Sequence, residues 1–429
     1  MIKIIDSIMG SGKSTWMIKH INKNPKKRYM IVVPYLSEID RYRAELKKLV
    51  IYEPKIKRGK SKYGDLLRLI KDKRNIITTH QLFLRMRTDI LELLNATEYT
   101  LVIDESLAVF DHMSFPTNDL NVFKKCGILS TNASTGQIQW NENLEPENEY
   151  DFGSLLPLKE ACMLGSAYDM SFGAASTKKL TQYLWCLPPN VFACFDDVYI
   201  LTYLWDGSFH KLYFDMMKFK YHVYTLNNGF PTVYNNHSDE IAYKEQAKQL
   251  ITIIDNQKLN AIGSKINNRH NPLSSGWYQT HKKDECLQQL RRNVSNFFKH
   301  LTGLPAVCNM WTTFEAYENI IKGKGYAGGS KNKCFIPVNA RGTNEYAHKT
   351  ALAYTVNIFM NPTYKRFFSS KGLQVNEDIY ATNEMVQWIW RSAIRNGDPI
   401  ILYIPSDRMR GLLLQWLNNT AENTIIKKC

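Results

Sequence analysis

Lys13 and Ser14, with Gly10 and Gly12 before them, end the run Asp6-Ser7-Ile8-Met9-Gly10-Ser11-Gly12-Lys13-Ser14-Thr15. Two glycines in such a run let backbone N–H groups converge on a phosphate at a helix N-terminus. A lysine at position 13 reaches β- and γ-phosphates, and the Ser14 hydroxyl helps hold Mg²⁺. The pattern G-x-x-x-x-G-K-[ST] is broken at its first glycine, which is Ser7 here. A serine fits there if the local turn avoids positive φ. The nucleotide-binding set is therefore Ser7, Met9, Gly10, Ser11, Gly12, Lys13, Ser14 and Thr15. A second pair, Asp104 and Glu105, ends the apolar run Thr100-Leu101-Val102-Ile103. Asp104 suits the metal, and Glu105 suits the orientation and deprotonation of an attacking water. A third group, Gln387, Arg391 and Arg395, recurs every four residues, the spacing of one helix face. Arginines so placed can neutralise charge that develops on a γ-phosphate.

These residues need elements to position them. Met1 to Ile5 reads as a short buried strand, and Trp16 to Ile21 has helical spacing, which supplies the strand–loop–helix context. Tyr29-Met30-Ile31-Val32-Val33-Pro34, Asn75 to His80 and Thr100 to Glu105 read as further strands, the first with the continuous apolar character of a parallel strand. Tyr35 to Leu49 reads as a helix. The alternation predicts a parallel α/β sheet. Phe115 to Asn148 is rich in Asn, Ser, Thr and Gly and predicts an irregular insertion, extending to about residue 190 with helical character over Ala167–Leu184. Asp197 to Leu204 returns as a strand, and Trp205-Asp206-Gly207-Ser208 signals a turn and a domain boundary. In the second half Asp239–Leu259, Glu285–Leu301, Thr350–Phe359, Glu384–Arg395 and Asp407–Leu417 read as helices, and Lys333–Val338 and Pro399–Ile404 as strands.

The 429 residues suit two or three domains, and a hydrophobic fraction of 44% describes an ordinary globular chain. The P-loop strand at the N-terminus leaves no expectation of a signal peptide, and no apolar run reaches a membrane span. None of the eight cysteines forms a C-x-x-C pair, so a reduced, cytoplasmic protein is expected, the host cytoplasm if phage-encoded. The formal charge of +15 points to a polyanionic partner, with basic clusters at Lys55–Lys62 and Lys322–Lys331.

Taken together, Ser7–Thr15, Asp104–Glu105, Leu201-Thr202-Tyr203 and Gln387…Arg391…Arg395 resemble the motifs of superfamily 2 (DEAD/DEAH-like) helicases. The wording of Pro34-Tyr35-Leu36-Ser37-Glu38, Thr78 to Phe83, Asn344-Glu345-Tyr346 and Gln387–Arg395 resembles a phage or prophage branch. The resemblance implies two RecA-like P-loop NTPase domains with parallel sheets, residues 1–207 and 208–429, the first carrying the insertion. It implies ATP and Mg²⁺ as cofactors. It also implies that Pro34, Tyr35, Thr79, His80 and Arg341 touch nucleic acid, that Gly342 meets nucleotide, and that Thr202 and Thr343 couple hydrolysis to domain movement. Lys13, Glu105, Gln387, Arg391 and Arg395 are then the catalytic set, the arginines meeting the γ-phosphate only if the two halves close on each other. Asp104-Glu105-Ser106-Leu107 departs from D-E-A-D and D-E-x-H, and an adenine-reading segment upstream of Met1 has no room, which leaves base selectivity open. The expected activity is that of an ATP-dependent helicase or translocase of phage replication or recombination, on single-stranded or forked DNA or on RNA. A terminase-like packaging ATPase and a remodelling NTPase without strand separation are the alternatives.

Overall fold

The computed structural model describes the chain apart from residues 57, 58, 60, 146–151, 171–179, 235–239, 265–270, 283, 330–331, 340–344 and 419–429. Two compact units emerge. The first holds Met1–Ile5, Ser14–Val223 and Asn361–Val375, and the second holds Asp6–Lys13, Tyr224–Met360 and Asn376–Cys429.

The chain opens with β1 (Ile2–Asp6), α1 (Lys13–Lys23), β2 (Tyr29–Val33), α2 (Leu36–Glu45), β3 (Ile51–Tyr52) and α3 (Lys62–Lys71). It continues with β4 (Asn75–Thr79), α4 (His80–Phe83), α5 (Thr88–Asn95) and β5 (Thr100–Asp104). Every residue of β2 and of β5 is buried, as strands covered on both faces require. The strand β2 pairs in parallel with both β4 and β5. Proline 34 ends β2 because it cannot donate to the ladder.

Next come β6 (Phe110–Pro116), α6 (Thr117–Lys125), β7 (Leu129–Thr131), β8 (Ile138–Trp140), α7 (Leu156–Met163), β9 (Ala167–Asp169) and β10 (Leu180–Cys186). The expected irregular insertion is thus a folded one, and the described ends of the stretch Ala167–Leu184, expected as a helix, are strands, with 171–179 outside the described residues. Antiparallel pairing joins β10 to β6 and to β9. Its polar composition lies on the surface, while Phe115, Phe123, Trp140, Leu158 and Tyr183 fill a core of its own. Aromatic and β-branched residues on alternate positions favour strands where composition alone suggested loop.

The chain returns through α8 (Asn190–Ala193) to β11 (Asp197–Thr202), α9 (Phe209–Met216), β12 (Tyr221–Asn227) and β13 (Phe230–Val233). The resulting eight-stranded sheet has the order β13-β12-β1-β11-β5-β2-β4-β3. The strand β11 runs parallel to β5 and brings Leu201 opposite Asp104.

The second half contributes α10 (Ile241–Leu250), β14 (Ile251–Ile253), α11 (Gln257–Asn260), α12 (Ser275–Thr280), α13 (Glu285–Asn296), β15 (Asn309–Thr312) and α14 (Glu318–Ile321). Then follow β16 (Gly328–Gly329), β17 (Asn332–Lys333), β18 (Ala351–Tyr354), α15 (Pro362–Ser370), α16 (Glu377–Ile389), β19 (Ile400–Tyr403) and α17 (Asp407–Asn418). A parallel sheet of order β14-β19-β18-β15 forms its centre. Two expected helices are corrected. Thr350–Phe359 holds a fully buried strand, β18, because a short apolar run has no period that separates a core strand from a core helix. Asp239–Leu259 is interrupted by β14, where β-branched Ile251, Thr252 and Ile253 pair with β19. The strand expected over Lys333–Val338 stops at Lys333, with Phe335 making an isolated bridge to Trp311.

Helix α15 belongs to the first unit although its neighbours in sequence belong to the second. Proline 362 starts it, and the Asn361 side chain accepts from Thr363 N at 2.9 Å. Phe368, 0% exposed, lies 5.1 Å from Phe110 and 6.3 Å from Phe209, ring centre to ring centre. Phe368→Ala should cost about 3–5 kcal/mol, the usual loss for a buried phenylalanine. Calorimetry should record it as an earlier unfolding transition, and an unchanged transition would show that this aromatic contact contributes little.

Candidate nucleotide site

Strand β1 delivers a loop whose shape rests on two glycines. Gly10 has φ +81° and Gly12 has φ +84°, and a methyl built on either meets nothing within 4 Å. Backbone conformation, not space, therefore demands glycine at these positions. Ser7 stands where the motif has its first glycine, 1% exposed and outside the positive-φ region. Its Oγ accepts from Leu226 N at 2.7 Å and lies 3.0 Å from Thr225 Oγ1, so the hydroxyl ties the loop to β12. Lys13 Nζ donates to Ser7 O at 2.6 Å and Ile8 O at 3.0 Å. Met9 and Ser11 are half-buried and Thr15 is exposed.

Ser14 Oγ donates to Asp104 Oδ1 at 3.1 Å, which joins the start of α1 to the end of β5. Asp104 itself is 6% exposed. Its other oxygen, Oδ2, accepts from Tyr42 OH at 2.7 Å and has Arg41 Nη2 at 3.6 Å. Burial, followed by the negative charge of Asp104, pushes the Tyr42 hydroxyl well above its ordinary pKa, so it stays a donor. His80 Nε2 lies 3.0 Å from Asp104 O. The next residue, Glu105, has φ +64°, a left-handed conformation that costs a non-glycine residue about 1–3 kcal/mol. Glu105 N donates to Leu201 O at 3.1 Å, and Ser106 Oγ lies 3.0 Å from Thr202 Oγ1.

A hydroxyl and a carboxylate in contact at a P-loop are the donors a magnesium ion takes alongside phosphate oxygens and water. Ser14 and Asp104 fit that role. Among the described residues no group of three or more His, Cys, Asp and Glu side chains gathers as a separate metal site. Tyr42 and Arg41 were not legible as site residues, since their spacing reads only as an amphipathic helix.

The expected nucleic-acid residues Pro34 and Tyr35 lie between β2 and α2, half-buried and exposed respectively, and Thr79 and His80 lie at the β4–α4 junction. Arg341, Gly342 and Thr343 lie outside the described residues.

Gln387, Arg391 and Arg395 do not share a helix face. Helix α16 ends at Ile389, so of the three only Gln387 lies on it, its Nε2 donating to Asn383 Oδ1 at 2.6 Å. The next amides tighten to three-residue bonds, Arg391 N to Trp388 O at 3.2 Å and Ser392 N to Ile389 O at 3.0 Å. Ser392 is extended, and Ala393 N donates to Lys349 O at 2.9 Å. That tertiary bond takes the amide that another helical turn would need. Arg391 is 6% exposed, while Arg395 is exposed on a 3₁₀ turn over Ala393–Asn396 whose Ala393 and Ile394 are buried.

Over 435 residues the chain is 35% identical to the "SPbeta prophage-derived uncharacterized protein YonV" of Bacillus subtilis (strain 168), covering 97% of this chain and 99% of that one. The chain belongs to the YonV family. Residues 245–417 match the family described as "YonV C-terminal Rossmann-like domain", the stretch that contains the sheet β14-β19-β18-β15. A solved structure titled "XPD_APO" superposes with a TM-score of 0.53 at 12% identity, covering 97% of this chain and 95% of that one. One titled "Structure of S. tokodaii Xpd4" gives 0.43 at 11% identity, covering 97% and 94%. The first likeness shows that this YonV family member shares that structure's fold. No helix of the described residues is long and apolar enough to cross a membrane.

Proposed function

We propose that this chain is a nucleic-acid-stimulated ATPase, a helicase or translocase that serves phage DNA replication or recombination. The observation that carries the reading is the 3.1 Å contact of Ser14 with Asp104, made directly beside Lys13 and Glu105. Lys13 offers its ammonium to the β- and γ-phosphates, and the loop amides from Met9 to Thr15 cradle them. Ser14 and Asp104 would hold a magnesium ion, which when bound would neutralise charge on the phosphate oxygens. Glu105 accepts the proton of the attacking water, and the backbone at φ +64° sets where its carboxylate points. Arg391 or Arg395 supplies positive charge late in the reaction. Thr202, in contact with Ser106, couples the strand end of β11 to the residues that follow Glu105.

The test is ATP turnover by the full chain with no nucleic acid, single-stranded DNA, duplex DNA and RNA. Stimulation by at least one polymer is expected, and turnover indifferent to all of them rejects the reading. The same samples give a salt prediction, motivated by the charge of +15. Affinity for nucleic acid should be largely independent of sequence and fall by on the order of a thousandfold between about 50 and 200 mM salt, as phosphate contacts release counterions. A flat response across that range points to a protein partner instead.

A further inference from the structure

Helix α2 starts beside the exposed Tyr35 and Leu36, 39% and 55% exposed, in the stretch read as a backbone contact for nucleic acid. Farther along, the same helix reaches the carboxylate of Asp104. Its two contacts there differ in kind. Tyr42 is 0% exposed and donates to Oδ2 at 2.7 Å, which fixes the orientation of the carboxylate without adding charge. Arg41 sits 3.6 Å from the same oxygen, but its side chain is 33% exposed and its Nη2 is also 3.0 Å from Glu38 Oε2. A guanidinium at that distance offsets part of the negative charge that Asp104 offers a divalent cation. The same planar fork pairs well with a phosphate. One side chain is therefore within reach of both the metal-holding carboxylate and solvent, on the helix that begins just after Pro34 and Tyr35, the residues expected to touch nucleic acid.

We propose that Arg41 is a phosphate-switched counter-ion of Asp104, resting on the ATPase reading above. A nucleic-acid phosphate that engages α2 draws the Arg41 guanidinium away from Asp104, and the site then binds its divalent cation more tightly. Glu38 holds the guanidinium in reach during the exchange, and Tyr42 keeps the carboxylate in place. Arg41 and Tyr42 are positioning residues, since they act through Asp104. Linkage is reciprocal, so the cation must tighten nucleic-acid binding by the same factor.

The experiment titrates Mg²⁺ into the full chain with a fluorescent, non-hydrolysable ATP analogue, with and without an oligothymidine strand. The readout is the Mg²⁺ concentration at half-saturation, independent of turnover. In wild type the strand should lower it by roughly 5–10-fold, a modest coupling. Arg41→Gln should lower it without the strand and abolish the response, and Arg41→Lys should restore part of the response. Tyr42→Phe should raise it in both arms and leave the ratio between them unchanged. The arm without the strand reports any pull by the nucleotide's own phosphates. Thermal melting of each variant checks the fold. Arg41→Gln with wild-type Mg²⁺ demand, or with an intact response to the strand, overturns the proposal while the ATPase reading stands. A chain that binds no nucleotide at any Mg²⁺ concentration removes both, a result separable from the first.

Discussion

Glu105→Gln should bind nucleotide as wild type does and hydrolyse it about 10²–10⁴ times more slowly, the usual contribution of a positioned general base. The substitution is nearly isosteric and leaves Asp104 with its partners Ser14 and Tyr42, so metal binding survives. It also leaves the backbone at φ +64° as it is, because Glu and Gln meet the same steric limits there. Lys13→Ala should instead abolish hydrolysis and weaken nucleotide binding. The phosphates lose their main side-chain counterion, and the loop loses the bonds from Nζ to Ser7 O and Ile8 O. Phosphate release and equilibrium nucleotide binding, measured on both variants, separate the two effects. Wild-type turnover by Glu105→Gln would falsify its role as the base.

The second large effect belongs to Arg391 and Arg395. An arginine that meets the γ-phosphate is worth roughly 10³–10⁵ in turnover in well-studied NTPases. Either arginine replaced by alanine should therefore cripple hydrolysis while nucleotide binding survives, since Lys13 and the loop amides remain. The two variants differ in what else they disturb. The Arg395 side chain is exposed, while Ala393 and Ile394 of the same turn carry its packing, so its removal leaves the fold alone and a loss of turnover reads directly as function. Arg391 is buried at 6% exposure, so Arg391→Ala needs a melting curve beside its rate. Arg391→Lys, which keeps the charge and loses the fork, should recover little. Should both alanine variants keep nucleic-acid-stimulated turnover, neither arginine supplies the charge.

How much was legible beforehand depends on how local the determinant is. The loop from Ser7 to Thr15 was readable because Gly10 and Gly12 answer a backbone requirement set within a few residues, and Lys13 and Ser14 follow at fixed spacing. Strands β2 and β5 were readable because burial on both faces writes a continuous apolar run. The arginine turn was misread for the opposite reason. A four-residue spacing describes a helix face only while the helix lasts, and α16 ends at Ile389 because Ala393 N bonds Lys349 O instead.

Three features came from the tertiary structure alone. Ser7 replaces a glycine and gains a hydroxyl contact with β12, whose residues 225 and 226 are far along the chain. Ala351 to Tyr354 is a strand and not a helix because β15 and β19 offer backbone partners on both sides. Tyr42 and Arg41 meet Asp104 because parallel pairing sets β2 beside β5 and carries α2 over the strand end. The sequence by itself determined which groups can bind phosphate and metal, since that chemistry resides in side-chain type and short spacing. Which groups surround them was decided by strand order, because hydrogen-bonded neighbours in a sheet need not be neighbours in sequence.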